Sequence, residues 1–169
     1  MAANQKIIDS GLPLTIQNGG HIFTQQFWDN FLCMSGAGIV IGLVIYITFF
    51  AKSKSLRSLG KLSIVPNIFN INEPIIFGTP IVLNPILSIP FLIMPCLSAG
   101  LGYLVQSMGL VSLGYIVDPS FTPFFAQGFL SALDIRNVIF MFVLIAISVV
   151  VYYPFFKVYE KNTLEHEGE

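Results

Sequence analysis

The chain has 169 residues, of which 54% are hydrophobic and only 10% are charged, with a net charge of −1. Because a typical soluble domain carries about 25% charged residues, this composition excludes a disordered chain, an ordinary soluble enzyme and a nucleic-acid-binding protein with a basic face. The mean hydropathy of +0.78 predicts a membrane protein.

Three stretches without a charged residue are long enough for transmembrane helices, each of which needs about 20 apolar residues. They cover residues 30–51, 83–105 and 137–156. The sequence therefore predicts an all-α membrane protein with about three transmembrane helices.

The first of these stretches contains a group of small residues that predicts close contact with another helix. Small side chains let the backbones of two membrane helices approach each other. The residues are Ser35, Gly36, Ala37, Gly38 and Gly42.

Two further apolar segments, residues 64–82 and 121–133, are too short or too interrupted by proline and glycine to span a membrane. Such segments often enter the membrane and turn back. Non-helical backbone at that depth is tolerated where it is buried in protein or lines a wet cavity. We therefore expect one or two re-entrant or interfacial hairpin segments, and interrupted segments are also pointers to a transport site.

Basic residues follow the first and the third predicted span, and by the positive-inside rule they predict that both ends face the cytoplasm. The simplest interpretation is an orientation signal that contacts anionic lipid. The residues are Lys52, Lys54, Arg57 and Lys61, followed much later by Lys157 and Lys161.

Glu73 is the only charged residue between Lys61 and Asp118. An acidic group at membrane depth costs roughly 2.5–3.5 kcal/mol and is a functional candidate. Its carboxylate can accept several hydrogen bonds from the hydroxyl groups of a sugar, and the amides of Asn70 and Asn72 add donors and acceptors. The alternatives are an interfacial or helix-capping carboxylate for Glu73, and turn formation for the two asparagines.

The loop at residues 15–20 is ambiguous. Its glycine pair permits a tight turn or a close approach of the backbone to a ligand. Asn18 and Gly19 are therefore possible substrate-binding residues.

Patterns of catalytic or metal-binding chemistry are missing from the sequence. The two cysteines, Cys33 and Cys96, form no Cys-x-x-Cys or Cys/His spacing, so neither a metal site nor a cofactor is predicted. We also expect no catalytic residue.

One long stretch resembles a known family. Residues 60–78, Gly-Lys-Leu-Ser-Ile-Val-Pro-Asn-Ile-Phe-Asn-Ile-Asn-Glu-Pro-Ile-Ile-Phe-Gly, resemble a motif of the lactose/cellobiose-type IIC components of the bacterial phosphoenolpyruvate-dependent phosphotransferase system. Residues 80–85, 89–91 and 24–42 are similar to the same family. The resemblance covers roughly residues 18–157.

The resemblance implies a sugar carrier of the bacterial cytoplasmic membrane that crosses it several times. In that family the Asn-Glu-Pro element lies on a re-entrant hairpin, and its glutamate binds sugar hydroxyls. The match assigns that role to Glu73, with Asn72 beside it. The implied substrate is a β-linked disaccharide such as cellobiose or diacetylchitobiose.

The resemblance also implies partners. A cytosolic IIB protein, supplied with phosphate by a IIA protein, phosphorylates the sugar, and the complete carrier is a homodimer in the lipid membrane. The lysines and the arginine between residues 52 and 61 then gain a second interpretation, as a docking surface for IIB.

Members of the family are longer than this chain. We therefore expect residues 1–162 to be the C-terminal part of a IIC transport domain, and residues 163–169 to be a charged cytoplasmic tail. The N-terminal helices of the family, with a His-Gly element near the sugar, would precede residue 1. The alternative is a truncated or split carrier fragment that does not transport by itself and acts only as a membrane-inserted subunit or remnant.

Overall fold

The structure is a computed structural model that describes residues 2–117, 119 and 122–167, with the side chains of Ala2, His166 and Glu167 excepted. Throughout this part of the chain the regular secondary structure is helical. The α-helices are α1 (Ala2–Asp9), α2 (Gln25–Phe27), α3 (Ile41–Phe49), α4 (Lys54–Ile68), α5 (Glu73–Gly78), α6 (Pro85–Ser107), α7 (Phe124–Leu130) and α8 (Ile135–Glu167).

Two described helices, α6 and α8, are long and apolar enough to cross a membrane, and a bent pair can form a third crossing. The pair consists of Gln25–Ile39 and Ile41–Phe49, which meet at an angle of 45°. The expected all-α membrane fold with about three crossings is confirmed. The first crossing, however, is broken near its centre instead of being one continuous helix.

Ring contacts show how these crossings are arranged. Phe31 lies 5.6 Å from Phe140 between ring centroids, and further along both segments Tyr46 lies 5.4 Å from Phe156. Helix α8 therefore runs parallel to the first crossing. The ring of Phe23, near the start of the first crossing, stacks on Tyr103 near the end of α6, so α6 runs in the opposite direction.

The break in the first crossing is built from backbone that L-amino acids rarely adopt. Ser35, Gly36, Gly38 and Ile39 have φ angles of 61°, 83°, 78° and 48°. Part of the expected small-residue face therefore forms this break. Gly42 does provide close helix contact, because a β-carbon there would lie 2.5 Å from the carbonyl carbon of Ser148 on α8.

A broken helix leaves carbonyl groups without their usual partners, and here side chains from other elements replace them. The hydroxyl of Tyr152 donates to the carbonyl of Gly38 at 2.8 Å, and the hydroxyl of Ser148 donates to Ile39 at 2.7 Å. The amide of Asn72 donates to the carbonyl of Ala37 at 2.6 Å. Three successive carbonyls are thus satisfied inside the protein, as membrane depth requires.

Tyr152→Phe is expected to destabilise the fold by about 1–2 kcal/mol, because it leaves the buried carbonyl of Gly38 without its donor. The measurement is the thermal unfolding midpoint of the purified chain in detergent. Tyr153→Phe is the matched control, because Tyr153 is 42% exposed. Equal midpoints for the two variants would contradict the assigned role of Tyr152.

Helices α4 and α5 form a hairpin beside the broken crossing. Gly60 of α4 packs so closely on Thr48 that a β-carbon there would lie 2.7 Å from the Thr48 nitrogen. Ten residues after Gly60, and just past the end of α4, Asn70 lies at the level of Ser35, whose backbone nitrogen donates to its side-chain oxygen. Helix α5 then returns, and its Gly78 contacts Leu59. The predicted hairpin is therefore present, with its tip at residues 69–72, but its first arm begins at Lys54, ten residues before the predicted segment 64–82.

The tip of this hairpin lies midway along the bundle. The tip contacts Ser35, which lies between Phe31 and Ile39 in the sequence. Phe31 contacts Phe140 of α8, and Ile39 contacts Ser148, further along the same helix. Both contacts are within the apolar stretch of α8. The hairpin thus reaches the middle of the apolar layer, as expected of a re-entrant segment.

The two basic groups of the sequence lie at one end of the bundle. The backbone nitrogen of Lys52 donates to the Glu160 carboxylate, so the end of the first crossing meets the C-terminal part of α8. This arrangement agrees with the orientation inferred from the charges. Helix α8 continues through Glu167, so it crosses the predicted boundary between residues 162 and 163, and that boundary remains a prediction.

The second predicted hairpin segment, residues 121–133, contains the short helix α7; its first residue, Phe121, lies outside the described residues. Gly128 of α7 packs against the sulfur of Met141 on α8, where a β-carbon would lie 2.4 Å away. Gln127 faces the tip of the α4–α5 hairpin, to which it is hydrogen-bonded through Asn70 at 2.7 Å.

Candidate functional site

The hairpin tip is held in place mainly by Asn70. This residue has a φ of 63°, a left-handed conformation that asparagine tolerates better than most residues. Its side-chain oxygen accepts a hydrogen bond from the backbone nitrogen of Ser35 at 2.7 Å. Its side-chain nitrogen donates to the side-chain oxygen Oε1 of Gln127 at 2.7 Å and to the backbone carbonyl of Thr122 at 3.2 Å. One side chain therefore joins the hairpin, the broken crossing and α7.

Asn72 forms the second attachment. Its side chain is 5% exposed and donates to Ala37 in the broken crossing. Gly36 lies directly against it, because a β-carbon at Gly36 would be 2.4 Å from Cγ of Asn72. The lack of a side chain at Gly36 is thus what allows Asn72 to occupy this position.

Beside the tip is a polar pocket of about 350 Å³. This volume is at the lower end of the range of small-molecule sites. Glu73, the first residue of α5, is exposed and lines the pocket. The structure thus brings together all three predicted substrate-binding residues. The lining residues are Asp29, Cys33, Gly36, Ala37, Asn70, Asn72, Glu73 and Gln127.

Sequence reasoning missed Asp29 and Gln127 as members of this site. Asp29 lines the pocket and adds a second carboxylate beside that of Glu73. Its two oxygens accept hydrogen bonds from Nε2 of Gln25 at 2.9 and 3.1 Å. Its position directly before the first charge-free stretch was a usable signal. The sequence signal for Gln127 was weaker, namely a polar amide side chain within the interrupted apolar segment 121–133.

Gln127→Ala is expected to loosen the hairpin tip, because it removes the nearer of the two acceptors of the Asn70 side-chain nitrogen. A typical hydrogen bond of this kind contributes about 0.5–1.5 kcal/mol, which corresponds to a roughly twofold to tenfold loss of affinity for a ligand bound at the tip. The measurement is ligand affinity in a complete carrier that contains this segment. Gln17→Ala is the control, since Gln17 lies outside the pocket. An affinity equal to that of the control would contradict this role.

The two possible binding residues of the N-terminal loop lie elsewhere. Asn18 and Gly19 are exposed and absent from the lining of the polar pocket. The side chain of Asn18 donates to the carbonyl of Pro13 at 2.8 Å, and Gly19 has a φ of 84°. The turn interpretation accounts for both residues, and contact with a ligand remains a prediction.

Four basic side chains just before α4 and along its first half are exposed. They belong to Lys52, Lys54, Arg57 and Lys61. Arg57 also donates to the backbone carbonyl of Ala51 at 2.7 Å, where it stabilises the connection between α3 and α4. These residues remain available for contact with a partner or with lipid. In the part of the chain that the structure describes, no group of three His, Cys, Asp or Glu residues is placed to hold a metal ion.

Comparisons with known proteins identify the family to which the chain belongs. Residues 1–95, more than half of the chain, match the family model described as "Phosphotransferase system, EIIC". The chain belongs to this family. The resemblance inferred from residues 60–78 is thereby confirmed.

Matches to EIIC relatives cover most of the chain. It is 42% identical over 150 residues to the lichenan permease IIC component of Bacillus subtilis (strain 168), and this match covers 88% of this chain and 33% of that protein. It is 39% identical over 149 residues to the cellobiose-specific EIIC component of Geobacillus stearothermophilus, which covers 87% and 33% respectively. The chain thus spans about a third of the length of these EIIC relatives.

A solved EIIC structure has the same fold. The crystal structure of the transporter ChbC, the IIC component from the N,N′-diacetylchitobiose-specific phosphotransferase system, matches with a TM-score of 0.90 and 36% sequence identity. The match covers 98% of this chain and 38% of that one. This similarity confirms the all-α membrane fold expected from the sequence.

Proposed function

We propose that this EIIC chain forms part of a sugar carrier of the bacterial cytoplasmic membrane, and that the pocket at the hairpin tip binds the sugar. The observation that carries the proposal is the position of Glu73. It is the single carboxylate of its long apolar region, and it lines a polar pocket at the middle of the helical bundle. A charged group at that depth is expensive and is kept where it has a function.

In this proposal Glu73 accepts hydrogen bonds from sugar hydroxyls, which are donors that match a carboxylate. Asn70 and Asn72 have a double role. Their amide nitrogens fix the hairpin tip, and since an amide oxygen has two lone pairs, each can accept a further bond from the sugar. Asp29 offers a second carboxylate on the opposite segment of the pocket.

The substrate that we propose is a β-linked disaccharide. Cellobiose and diacetylchitobiose belong to this class, and the names of similar EIIC proteins include both sugars. The sugar would move inward by alternating access around Glu73. A cytosolic IIB protein, itself phosphorylated by IIA, would then phosphorylate it, and the complete carrier would act as a homodimer that crosses the membrane several times.

The test is an equilibrium binding screen on the purified chain and on a complete carrier that contains it. Cellobiose and diacetylchitobiose are compared with maltose, an α-linked disaccharide that serves as the matched control. We expect binding of a β-linked sugar and at least roughly tenfold weaker binding of maltose, since a misplaced hydroxyl leaves pocket groups unpaired. Binding by the complete carrier alone would favour the interpretation of the chain as a subunit without independent transport. Binding of neither β-linked sugar would contradict the proposal.

A further inference from the structure

A second cavity lies far from the polar pocket, at the basic end of the bundle between α3 and α8. It is a groove of about 710 Å³. Four aromatic residues form its apolar surface, and the ring of Tyr46 packs 5.4 Å from that of Tyr153 and 5.4 Å from that of Phe156. The fourth, Phe50, is 65% exposed. We name this feature the aromatic groove.

The rim of the aromatic groove is basic. Lys52, Lys157 and Lys161 line it, together with one carboxylate, Glu160. The Glu160 side chain is turned inward, because the residue is 9% exposed and accepts a hydrogen bond from the Lys52 backbone. The lining residues therefore carry a net charge of +2, with three cations and one anion.

Two of the rim lysines have partners that leave the groove positively charged. The ammonium of Lys157 lies 4.5 Å above the ring of Tyr153, a cation–π contact that keeps its charge. Lys161 is 3.9 Å from the exposed Glu165, a surface pair of small energy. Among the side chains that the structure describes, Lys52 and Lys157 take part in no ion pair.

The groove lies where a membrane changes from hydrocarbon to head groups. Aromatic residues are enriched at this level, and the apolar stretch of α8 ends at Phe156, directly before Lys157. A ligand that fits must offer an acyl chain to the aromatic surface and a negative head group to the lysines. Basic pockets between membrane helices on the cytoplasmic side bind anionic lipids in this way.

We propose that the aromatic groove is a binding site for an anionic phospholipid. The phosphate group contacts Lys157 and Lys161, and the acyl chain lies along Phe50 and Tyr153. This site is separate from the sugar pocket, so the proposal does not depend on the proposed transport function. A further protein segment or a cytosolic protein is a rival occupant, and the test distinguishes them.

The test measures which lipid occupies the groove. Trp28→Phe removes the single tryptophan of this chain, and in the complete carrier the tryptophans outside this segment are replaced by phenylalanine as well. Phe50→Trp then introduces one fluorophore at the exposed edge of the groove. The protein, both as this chain and within a complete carrier, is reconstituted in vesicles with brominated phosphatidylglycerol or brominated phosphatidylcholine as the quencher. We expect stronger quenching by the anionic lipid in both proteins.

Two double variants, made in the same background, identify the lysines responsible. In Lys157→Gln/Lys161→Gln the preference for phosphatidylglycerol should fall about fivefold for each lysine removed. Lys6→Gln/Arg136→Gln removes the same charge from residues that do not line the groove and that lie outside the basic group of residues 52–61, and should keep the preference. Lys157→Arg, which preserves the charge, should also keep it and shows that the fold tolerates substitution at this position.

Three results would overturn the proposal. Equal quenching by the two lipids would show that the groove does not select a negative head group. A preference that survives Lys157→Gln/Lys161→Gln would assign it to other residues. If the lipids quench the fluorescence in this chain but neither lipid does so in the complete carrier, another part of the protein fills the groove.

Discussion

Glu73→Gln, introduced into a complete carrier that contains this segment, is expected to abolish sugar uptake while the protein remains inserted in the membrane. Glutamine has nearly the same shape as glutamate but lacks the negative charge. A hydrogen bond to a charged group contributes about 1.5–3 kcal/mol, so weakening two such bonds to sugar hydroxyls should lower uptake roughly 100-fold or more. The measurement is the accumulation of radiolabelled cellobiose by cells that express the carrier.

The control for this experiment is Glu165→Gln, which removes the same charge from the exposed C-terminal part of α8. It should leave uptake unchanged, and membrane fractionation should show equal amounts of both variants. Uptake by Glu73→Gln at the level of the parent would remove Glu73 from the site. A loss of membrane insertion would instead assign it a structural role.

Gly36→Ala is expected to damage both the fold and the site. Gly36 has a φ of 83°, where a residue with a β-carbon is strained by about 1–2 kcal/mol. The added carbon would also lie 2.4 Å from Cγ of Asn72, so the hairpin tip would have to move. We expect a lower thermal unfolding midpoint in detergent and a loss of sugar binding of tenfold or more, roughly the effect of displacing one anchored contact.

Gly100→Ala is the matched control for this variant. Gly100 lies in α6, and nothing is within 4 Å of the position that its β-carbon would take. Alanine is preferred to glycine within a helix by about 1 kcal/mol, so this control should unfold at the same temperature as the parent or higher. Parent-like stability and binding in Gly36→Ala would contradict the role of the close contact between Gly36 and Asn72.

The crossings and the hairpin were predictable because their signals are local. Long runs of uncharged, apolar residues marked the crossings, and α6 coincides closely with the predicted span 83–105. Helix α8 contains the predicted span 137–156 but continues eleven residues beyond it, to Glu167. Glu73 was recognisable because it alone interrupts a long uncharged region. In the hydrocarbon layer of a membrane, a charged side chain or an unsatisfied backbone group has a high free-energy cost. The polarity of each residue therefore indicates how deep in the membrane it lies.

The break in the first crossing could not be predicted in this way. Its left-handed residues include Ser35 and Ile39, and nothing in their side chains favours that conformation. The break is stabilised by donors far away in the sequence, since Ser148 and Tyr152 are more than 100 residues from the carbonyls that they satisfy. Long-range partners of this kind leave no local pattern.

The residues that line the pocket could be predicted only in part, because some of them are far apart in the sequence. Asn70 was identified as a candidate, but its partner Gln127 is 57 residues away. Asp29 lines the same pocket although it precedes the hairpin tip by about 40 residues in the sequence. The aromatic groove likewise requires α8 to bring Lys157 beside the end of α3, an arrangement that the separate basic groups of the sequence do not specify.

The most direct test of the account uses the two native cysteines. Cys33 lines the polar pocket, whereas Cys96 is exposed on α6 away from it. In a complete carrier with no other cysteine, the rate of alkylation by N-ethylmaleimide is measured for each thiol with and without saturating cellobiose or diacetylchitobiose. If the sugar occupies this pocket, a transported sugar should slow the alkylation of Cys33 at least roughly fivefold, as burial of a reactive group does, and leave Cys96 unchanged. The protection should disappear in Glu73→Gln. Alkylation of Cys33 at an unchanged rate, in a carrier that binds and transports the sugar, would contradict the central claim that the sugar binds beside Glu73.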